Sequence, residues 1–270
     1  MTQPTAASAD NPFYNRDDIA GRYNRSRALP ADVERMWSGL LARHAGIRPA
    51  VSVDLGCGTG RFTRVLADTF GGRVIGIDPS RPMLRAARQA LGQTPGVWLL
   101  HGRAEAVPLP PASVDFVLMS MSYHHVPDKP AALASIRRAL RPGGALCLRT
   151  VSVEALDSYL YQRFFPEARE FDRLRFPTRH GLPDEVARAG FTLRHFETVR
   201  QRVADNLREY RDRAALRAHS DLQAISDEQF RAGMQRFDVW CATQPQDQPV
   251  VEDVDLFTFT PGEDAAGTIH

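Results

Sequence analysis

Short apolar runs alternate with helically spaced apolar residues between residues 51 and 150. The runs are nearly continuous, which is typical of strands buried on both faces of a parallel sheet. They lie at 51–56, 74–78, 97–102, 115–120 and 145–150. Helical spacing occurs at 61–70, 80–91 and 129–140, and Arg141-Pro142-Gly143-Gly144 is a stop signal after the last of these. Strands that alternate with helices predict a doubly wound α/β sheet.

The flanking segments predict a cap, two inserts and a tail. Apolar residues at helical spacing over 10–47 predict an N-terminal helical cap at 1–47. The main domain is expected at 48–260, with an aromatic and arginine-rich insert at 153–180 and an amphipathic insert at 205–250. A helix at 182–191 leads into a strand at 191–203, and 255–260 is the last strand. We expect a flexible tail at 261–270.

A glycine-rich turn follows the first apolar run and precedes a helical pattern. Asp54, Gly56, Gly58 and Gly60 form the motif D-x-G-x-G-x-G. Glycines in such a turn let backbone N–H groups and a helix N-terminus approach a ligand closely. The spacing is not the dinucleotide fingerprint, because Arg61 stands where the third glycine is required. A glycine turn that binds nothing is the alternative.

This motif resembles motif I of the class I S-adenosylmethionine-dependent methyltransferases, in particular the UbiE-like, methyltransferase type 11 group. The resemblance covers roughly residues 50 to 203 and extends less clearly to the end of the chain. It implies a mostly parallel seven-stranded sheet whose last strand is inserted antiparallel beside the fifth. It also implies S-adenosylmethionine as the cofactor, bound in part by Asp54 and the three glycines.

The end of the second strand carries a second part of the resemblance. Asp78 and the following Pro79, Ser80 and Met83 match the family pattern D-x-S-x-x-M. In the family the acid binds the ribose diol, and a carboxylate suits this role because its two oxygens lie in one plane. The alternative is that Asp78 only caps the following helix.

Two later segments continue the resemblance to this family. Residues 102–117 resemble the family segment that surrounds the adenine, although Arg103 stands where relatives often have an aspartate. The backbone N–H of Ala104 is expected to meet the adenine ring. The resemblance also places the carbonyl of Ser120 against the methionine amino group, at the carboxyl end of the fourth strand.

Residues 19–30 resemble the segment that caps the cofactor in relatives. Tyr23 is expected to cover the methionine end, and Arg27 to pair with its carboxylate through a bidentate contact. The alternative is a surface helix whose aromatic residue packs on the core.

The catalytic candidates are His124 and His125, which follow the fourth strand. Adjacent residues point to different sides, so at most one should face the site, and support of the loop is the alternative role. For the acceptor pocket, the aromatic insert offers candidates that combine flat apolar walls with polar groups: Tyr159, Arg163, Phe164, Phe176 and His180. These aromatics can equally pack the insert onto the sheet.

Composition narrows the range of binding partners and compartments to be expected. The 270 residues are 43% hydrophobic with a net charge of +2, so charge alone does not indicate nucleic acid. Three cysteines are odd in number and widely spaced, which favours a reducing cytoplasm and gives no metal-ligand spacing. We therefore expect no bound metal. Neither a secretory signal nor a membrane-length apolar run is seen, and a monomer or homodimer is expected.

Together these features predict transfer of a methyl group to a small-molecule acceptor by in-line displacement, in a biosynthetic role. Two alternatives stay open: methylation of tRNA or protein, and a regulatory protein that binds S-adenosylmethionine without catalysis. The accepting atom (O, N, S or C) is open too. So is the need for a general base, which a hydroxyl or a protonated amine requires.

Overall fold

One seven-stranded sheet organises the chain, whose computed structural model describes Tyr14 and residues 19–46 and 48–262. The strands are β1 (Val51–Leu55), β2 (Arg73–Asp78), β3 (Val97–His101), β4 (Val114–Ser120), β5 (Leu140–Thr150), β6 (Phe191–Ala204) and β7 (Val250–Pro261). Their order is β3-β2-β1-β4-β5-β7-β6. β1 to β5 are parallel, and β7 is antiparallel to both β5 and β6. The doubly wound sheet with a reversed strand beside the fifth is therefore confirmed.

Ten helices surround the sheet in the described residues. They are α1 (Ile19–Arg27), α2 (Ala31–Ala45), α3 (Arg61–Phe70), α4 (Arg81–Leu91), α5 (Lys129–Ala139), α6 (Pro166–Arg175), α7 (Gly181–Arg188), α8 (Leu207–Ala215), α9 (Ser220–Ala224) and α10 (Asp227–Cys241). Three short 3₁₀ turns lie at Tyr123–His125, Val153–Ser158 and Leu160–Arg163. None of the helices in the described part of the chain is long and apolar enough to span a membrane.

Two strands, β5 and β7, begin five residues earlier than the sequence predicts, at Leu140 and Val250 instead of 145 and 255. β5 starts at Leu140, so the Arg-Pro-Gly-Gly segment is its first part rather than a separate loop. β7 starts at Val250 and pairs along β6 from Val250 to Pro261. Its first residues include Glu252, Asp253 and Asp255, and these acids interrupt the apolar pattern from which a strand is recognised.

The N-terminal segment divides between two layers. α2 packs with α3 on one face of the sheet, where Trp37 and Leu41 join Phe62 and Leu66 in one core. α1 instead packs on α4, where Ile19 contacts the buried Met83. Of the predicted cap at 1–47, α1 covers the carboxyl edge of the sheet, whereas α2 does not; residues 1–13, 15–18 and 47 lie outside the described part.

The two inserts pack together although they are distant in sequence. A third core contains Phe165 from the first insert and Tyr210 and Phe237 from the second. Phe164 stacks on Phe237 with ring centroids 4.7 Å apart. The inserts therefore form one unit, which we call the lid (residues 153–180 and 205–250). Of the tail predicted at 261–270, residues 263–270 lie outside the described part.

Candidate functional site

The carboxyl ends of β1, β2 and β4 meet at the glycine turn. Gly56, Gly58 and Gly60 have φ of 77°, 54° and 84°, a region that L side chains rarely adopt. A Cβ at Gly56 would lie 2.4 Å from the Cβ of Ser122, and one at Gly60 would lie 2.7 Å from Leu91 Cδ1. At Gly58 a Cβ would meet no described atom within 4 Å. Glycine at positions 56 and 60 thus lets Ser122 and Leu91 pack against the turn, whereas the backbone at Gly58 faces open space.

Asp78 closes the turn from the end of β2. Its Oδ2 accepts from the Gly58 N–H at 2.8 Å, and its Oδ1 accepts from the Ser80 N–H at 2.8 Å. Burial raises the pKa of Asp78 to about 6, although the two backbone donors oppose this shift. Ser80, not Asp78, caps α4, since the Ser80 Oγ accepts from the Met83 N–H at 3.3 Å. Each Asp78 oxygen keeps a further lone pair for a hydroxyl group.

Asp54 lies beneath the turn and is only 1% exposed. Thr63 Oγ1 donates to its Oδ2 at 2.7 Å. Its Oδ1 is buried without a hydrogen-bond partner among the described residues. Burial raises the pKa of Asp54 to about 7, and the nearby charge of Asp78 adds to the shift. An unsatisfied buried carboxylate oxygen is costly, so this position suits a ligand that donates a hydrogen bond or carries a positive charge.

Tyr14 connects the ends of β2 and β4, a role for which no sequence signal was found. Its carbonyl accepts from Ser80 Oγ at 2.7 Å, and its hydroxyl lies 3.3 Å from His125 Nε2. Its ring makes an edge contact with Tyr23, with centroids 6.0 Å apart. Tyr14 and Tyr23 both pack against the cluster that contains Met83. These aromatic rings cover the region between the glycine turn and the loop after β4.

A cavity opens beside this region, between α1, the end of β5, the ends of β6 and β7, and the lid. Tyr23, Arg27 and Tyr159 were predicted from the sequence as site residues and line it. Residues that sequence reasoning missed also line it: Arg61, Met121, Arg149, Tyr161, Gln201, Tyr210, Arg213, His219 and Glu252. They come from six different elements and two loops, and no local motif joins them.

Arg149 is the most deeply buried cation of the cavity, with 2% of its surface exposed. Its Nη2 donates to Gln201 Oε1 at 2.8 Å and its Nη1 to Ser120 Oγ at 3.3 Å, while its Nε has no partner in the described part of the chain. The guanidinium lies 4.4 Å from the ring centroid of Trp37 and 4.7 Å from that of Phe62. Burial, with repulsion from Arg61, lowers the pKa of Arg149 to about 9.

Three more arginines, Arg27, Arg61 and Arg213, and one carboxylate line the same cavity. Arg61 donates from Nη1 to the carbonyl of Arg27, its buried Nε has no partner among the residues described, and burial lowers the pKa of Arg61. Glu252 is 3% exposed and accepts from the Tyr210 hydroxyl at 2.8 Å. Burial raises the pKa of Glu252 to about 7. Within the described ranges, no carboxylate oxygen lies within 4.0 Å of a side-chain nitrogen of Arg27, Arg61 or Arg149.

The two candidate catalytic histidines lie next to the cavity but do not line it. His124 packs edge-on against Phe176, with centroids 4.5 Å apart, and its buried Nδ1 has no described partner. His125 lies between the Tyr14 hydroxyl and Arg175, whose Nη1 is 3.5 Å from His125 Nδ1. Burial lowers the pKa of both, that of His125 to about 3, so both are neutral near pH 7. Their catalytic role stays a prediction.

Of the five candidate acceptor residues, only Tyr159 lines the cavity. Arg163 and His180 are exposed. Phe164 stacks inside the lid core, and Phe176 packs on His124. The alternative interpretation, in which the insert aromatics mainly pack the lid, describes these two phenylalanines.

The candidate adenine-side residues lie at the ends of β2 and β3. The Pro79 carbonyl is 2.9 Å from His101 Nε2. Arg103 Nε is 3.7 Å from Glu105 Oε2, and the backbone of Arg103 bridges to Ala106. Ala104 is half-buried against the sheet core. These contacts fix the loop after β3 near Asp78.

One group of described residues has spacing that suits a metal. His44, His195 and Glu197 offer ligand atoms within 4.8 Å of one another. His44 Nε2 is 2.6 Å from Glu197 Oε1, a distance that an ordinary hydrogen bond explains. None of the three lines the cavity.

The strand order, the reversed β7 and the glycine turn define the class I methyltransferase fold. Residues 53–148 match the family model described as "Methyltransferase domain". This match agrees with the family resemblance noted in the sequence.

Curated relatives match over part of their length. The chain is 38% identical over 137 residues to a malonyl-[acyl-carrier protein] O-methyltransferase of Serratia marcescens, covering 51% of each chain. It is 32% identical over 138 residues to a demethylmenaquinone methyltransferase of Staphylococcus aureus, covering 49% of this chain and 57% of that one. The chain thus spans about half the length of the curated relatives it matches.

Solved structures share the fold over most of the chain. A putative methyltransferase from an antibiotic biosynthesis pathway of Anabaena variabilis has a TM-score of 0.61 at 20% identity, over 84% of this chain and 96% of that one. The [4+2]-cyclase SpnF has a TM-score of 0.59 at 18% identity, over 85% and 81%. At these identities the likeness concerns the fold alone.

Proposed function

We propose that this protein is an S-adenosylmethionine-dependent methyltransferase that acts on a small-molecule acceptor. The observation that carries the proposal is the methyltransferase-domain match over 53–148, which contains the glycine turn and Asp78. The cavity supports it further, because it opens beside the turn instead of being filled by side chains. A regulatory protein without catalysis would be expected to have a plugged acceptor pocket.

The residues present fit the cofactor. Asp78 is proposed to accept the ribose hydroxyls, which the free lone pairs of its two oxygens support, and Gly58 leaves room for close approach to the backbone. The unpaired Asp54 Oδ1 suits the positively charged methionine end, directly or through water. Arg27 suits the methionine carboxylate, since no described carboxylate is within 4.0 Å of it. The other proposed contacts are Tyr23, Gly56, Gly60, Pro79, Met83, Arg103, Ala104 and the carbonyl of Ser120.

When bound, S-adenosylmethionine supplies an electrophilic methyl group on a sulfonium. The protein's part is then to hold the acceptor in line with that group and to exclude water. Holding two reactants in near-attack geometry contributes about 7–11 kcal/mol. Tyr23 and Arg27 of α1 form one wall of the cavity, and Tyr159 and Tyr161 of the lid form another.

Glu252 is the carboxylate best placed to take a proton from a hydroxyl or ammonium acceptor. It lines the cavity, and its pKa of about 7 is close to that of an efficient general base at neutral pH. The Tyr210 hydroxyl donates to Oε1 and leaves Oε2 without a hydrogen bond from a described residue. An acceptor without an acidic proton would not need this step.

A small-molecule acceptor is favoured over tRNA or protein. The cavity is lined by aromatic side chains from the lid, and the net charge of +2 does not indicate a nucleic-acid surface. A reducing cytoplasm suits the three free cysteines. A monomer or homodimer stays a prediction.

The test has two stages. Calorimetric titration with S-adenosylhomocysteine should give saturable binding that Asp78→Ala weakens. The protein and S-adenosylmethionine are then incubated with pooled metabolites, and mass spectrometry should reveal one that gains a CH₂ unit. The proposal is wrong if the wild-type protein does not bind S-adenosylhomocysteine.

A further inference from the structure

The charge of the cavity is unbalanced. Arg27, Arg61 and Arg149 line it, whereas Glu252 is the one carboxylate among its described lining residues. Arg213 also lines it, but this side chain is neutralised by Glu209, at 2.6 Å. The three other arginines have no carboxylate within 4.0 Å in the part of the chain that the structure describes.

Arg149 shows the imbalance most clearly. Its hydrogen-bond acceptors are neutral, and its Nε donates to no residue that the structure describes. Stacking between Trp37 and Phe62 compensates part of the cost of burying this cation. A buried charge without a counter-ion is nevertheless unfavourable, and the repulsion from Arg61 adds to the cost.

The cofactor does not remove the imbalance. Under the proposed function, on which this inference rests, the methionine carboxylate pairs with one arginine, for which Arg27 is assigned above. The ammonium and sulfonium groups of the same molecule bring two positive charges. Arg61 and Arg149 therefore remain without an anion among the described residues, and each has a buried Nε–H donor with no acceptor among them.

We infer that the methyl acceptor carries an oxyanion, a carboxylate or a phosphate, which binds to Arg149 and Arg61. A guanidinium presents several donors in one plane and matches such groups well. The rest of the cavity wall includes Tyr159, Tyr161 and Tyr210, so an acceptor with a flat apolar body attached to the anion fits the same space. The substrate class is thus an acidic small molecule rather than a neutral or cationic one.

The experiment compares ligands that differ only in charge. Benzoate, benzamide and phenyl phosphate are titrated by calorimetry into protein saturated with S-adenosylhomocysteine. Benzoate or phenyl phosphate should bind at least about tenfold more tightly than benzamide, as expected for a charge-assisted hydrogen bond in a buried site. The stronger of the two identifies the anion as a carboxylate or a phosphate.

Substitutions then identify the arginines that bind the anion. Arg149→Gln should lower the affinity for the preferred anion to that for benzamide. The matched control is Arg173→Gln, because Arg173 is exposed and pairs with Glu170 on the lid surface; its anion affinity should equal that of the wild type. Circular dichroism verifies folding. If Arg149→Gln does not fold, Arg61→Gln gives the second measurement, with the same loss expected.

Two results overturn the inference. One is wild-type protein that binds S-adenosylhomocysteine but shows no preference for either anion over benzamide. The other is an anion preference that survives in both folded variants, Arg149→Gln and Arg61→Gln. Failure of S-adenosylhomocysteine itself to bind would instead refute the proposed function, so the two failures are distinguishable.

Discussion

Alanine substitution at the turn glycines should separate backbone strain from ligand approach. Gly58 has a positive φ and open space around its hypothetical Cβ, and Gly46, at the end of α2, has the same two properties. Gly58→Ala and Gly46→Ala therefore carry a similar conformational penalty, about 1–2 kcal/mol each. Only Gly58 lies beside Asp78, to which its N–H donates.

The neighbouring glycines should behave differently. At Gly56 the new methyl group would lie 2.4 Å from the Cβ of Ser122, an atom attached directly to backbone. Overpacking typically adds about 1–3 kcal/mol to the strain. At Gly60 the nearest atom, at 2.7 Å, is the end of the flexible Leu91 side chain. We expect Gly56→Ala to lose the most stability, Gly60→Ala less, and Gly58→Ala the least of the three.

Urea unfolding measures the stabilities, and calorimetry with S-adenosylhomocysteine measures binding. Gly58→Ala should bind at least about tenfold more weakly, a loss of about 1.4 kcal/mol or more, because its methyl group occupies the open face. Gly46→Ala should bind as the wild type does, at an equal stability loss. The reasoning is refuted if Gly58→Ala retains wild-type affinity, or if both variants lose affinity equally.

Three other substitutions test separate parts of the structure. Asp78→Asn should weaken calorimetric binding of S-adenosylhomocysteine by about 1–3 kcal/mol, with the fold retained by circular dichroism. Burial raises the pKa of Asp54 from 3.8 to about 7. The folded state then binds more protons than the unfolded state between these values, and stability falls as pH rises through them. In urea titrations, Asp54→Asn should therefore be more stable than the wild type near about pH 8, by at most about 4 kcal/mol, and should lose this advantage near about pH 4. If the stability of Asp54→Asn and of the wild type depended on pH in the same way, the raised pKa of Asp54 would be refuted. Gly233→Ala should lower the unfolding midpoint, because its Cβ would lie 2.3 Å from the Phe165 ring, and overpacking of about 1–3 kcal/mol outweighs a helix-propensity gain of about 1 kcal/mol.

The sheet was predictable because its central strands are buried on both faces and therefore form nearly continuous apolar runs. α3 was predicted at 61–70 and spans Arg61–Phe70. The start of β7 was not predictable in this way. Glu252 points into a cavity that the lid completes and is held by Tyr210, while Asp255 pairs with Arg179 at 3.0 Å. The polar residues of this strand are stabilised by partners from distant segments, which a local pattern cannot reveal.

The acceptor side of the site was only partly predictable, for a related reason. The first insert contains 3₁₀ turns at Val153–Ser158 and Leu160–Arg163, so helical periodicity does not assign its faces. Tyr159 faces the cavity, whereas Phe164 enters the lid core. Arg149 ends an apolar strand and looks like a surface residue in sequence. It is buried because Trp37 and Gln201 cover it.

α1 connects the cofactor side of the site to the acceptor side. Its cluster with Met83 lies against α4, which follows Asp78, while its Arg27 lines the cavity. Ser26 Oγ donates to the carbonyl of Arg213, and Arg213 Nη1 donates at 2.7 Å to the carbonyl of Ala28. α1 is thus bonded to α8 of the lid. A ligand that favours docking of α1 on α4 also favours the complete cavity, because one helix forms part of both. If the proposed cofactor favours docking of α1 on α4, then by linkage an acceptor held in that cavity strengthens cofactor binding in turn.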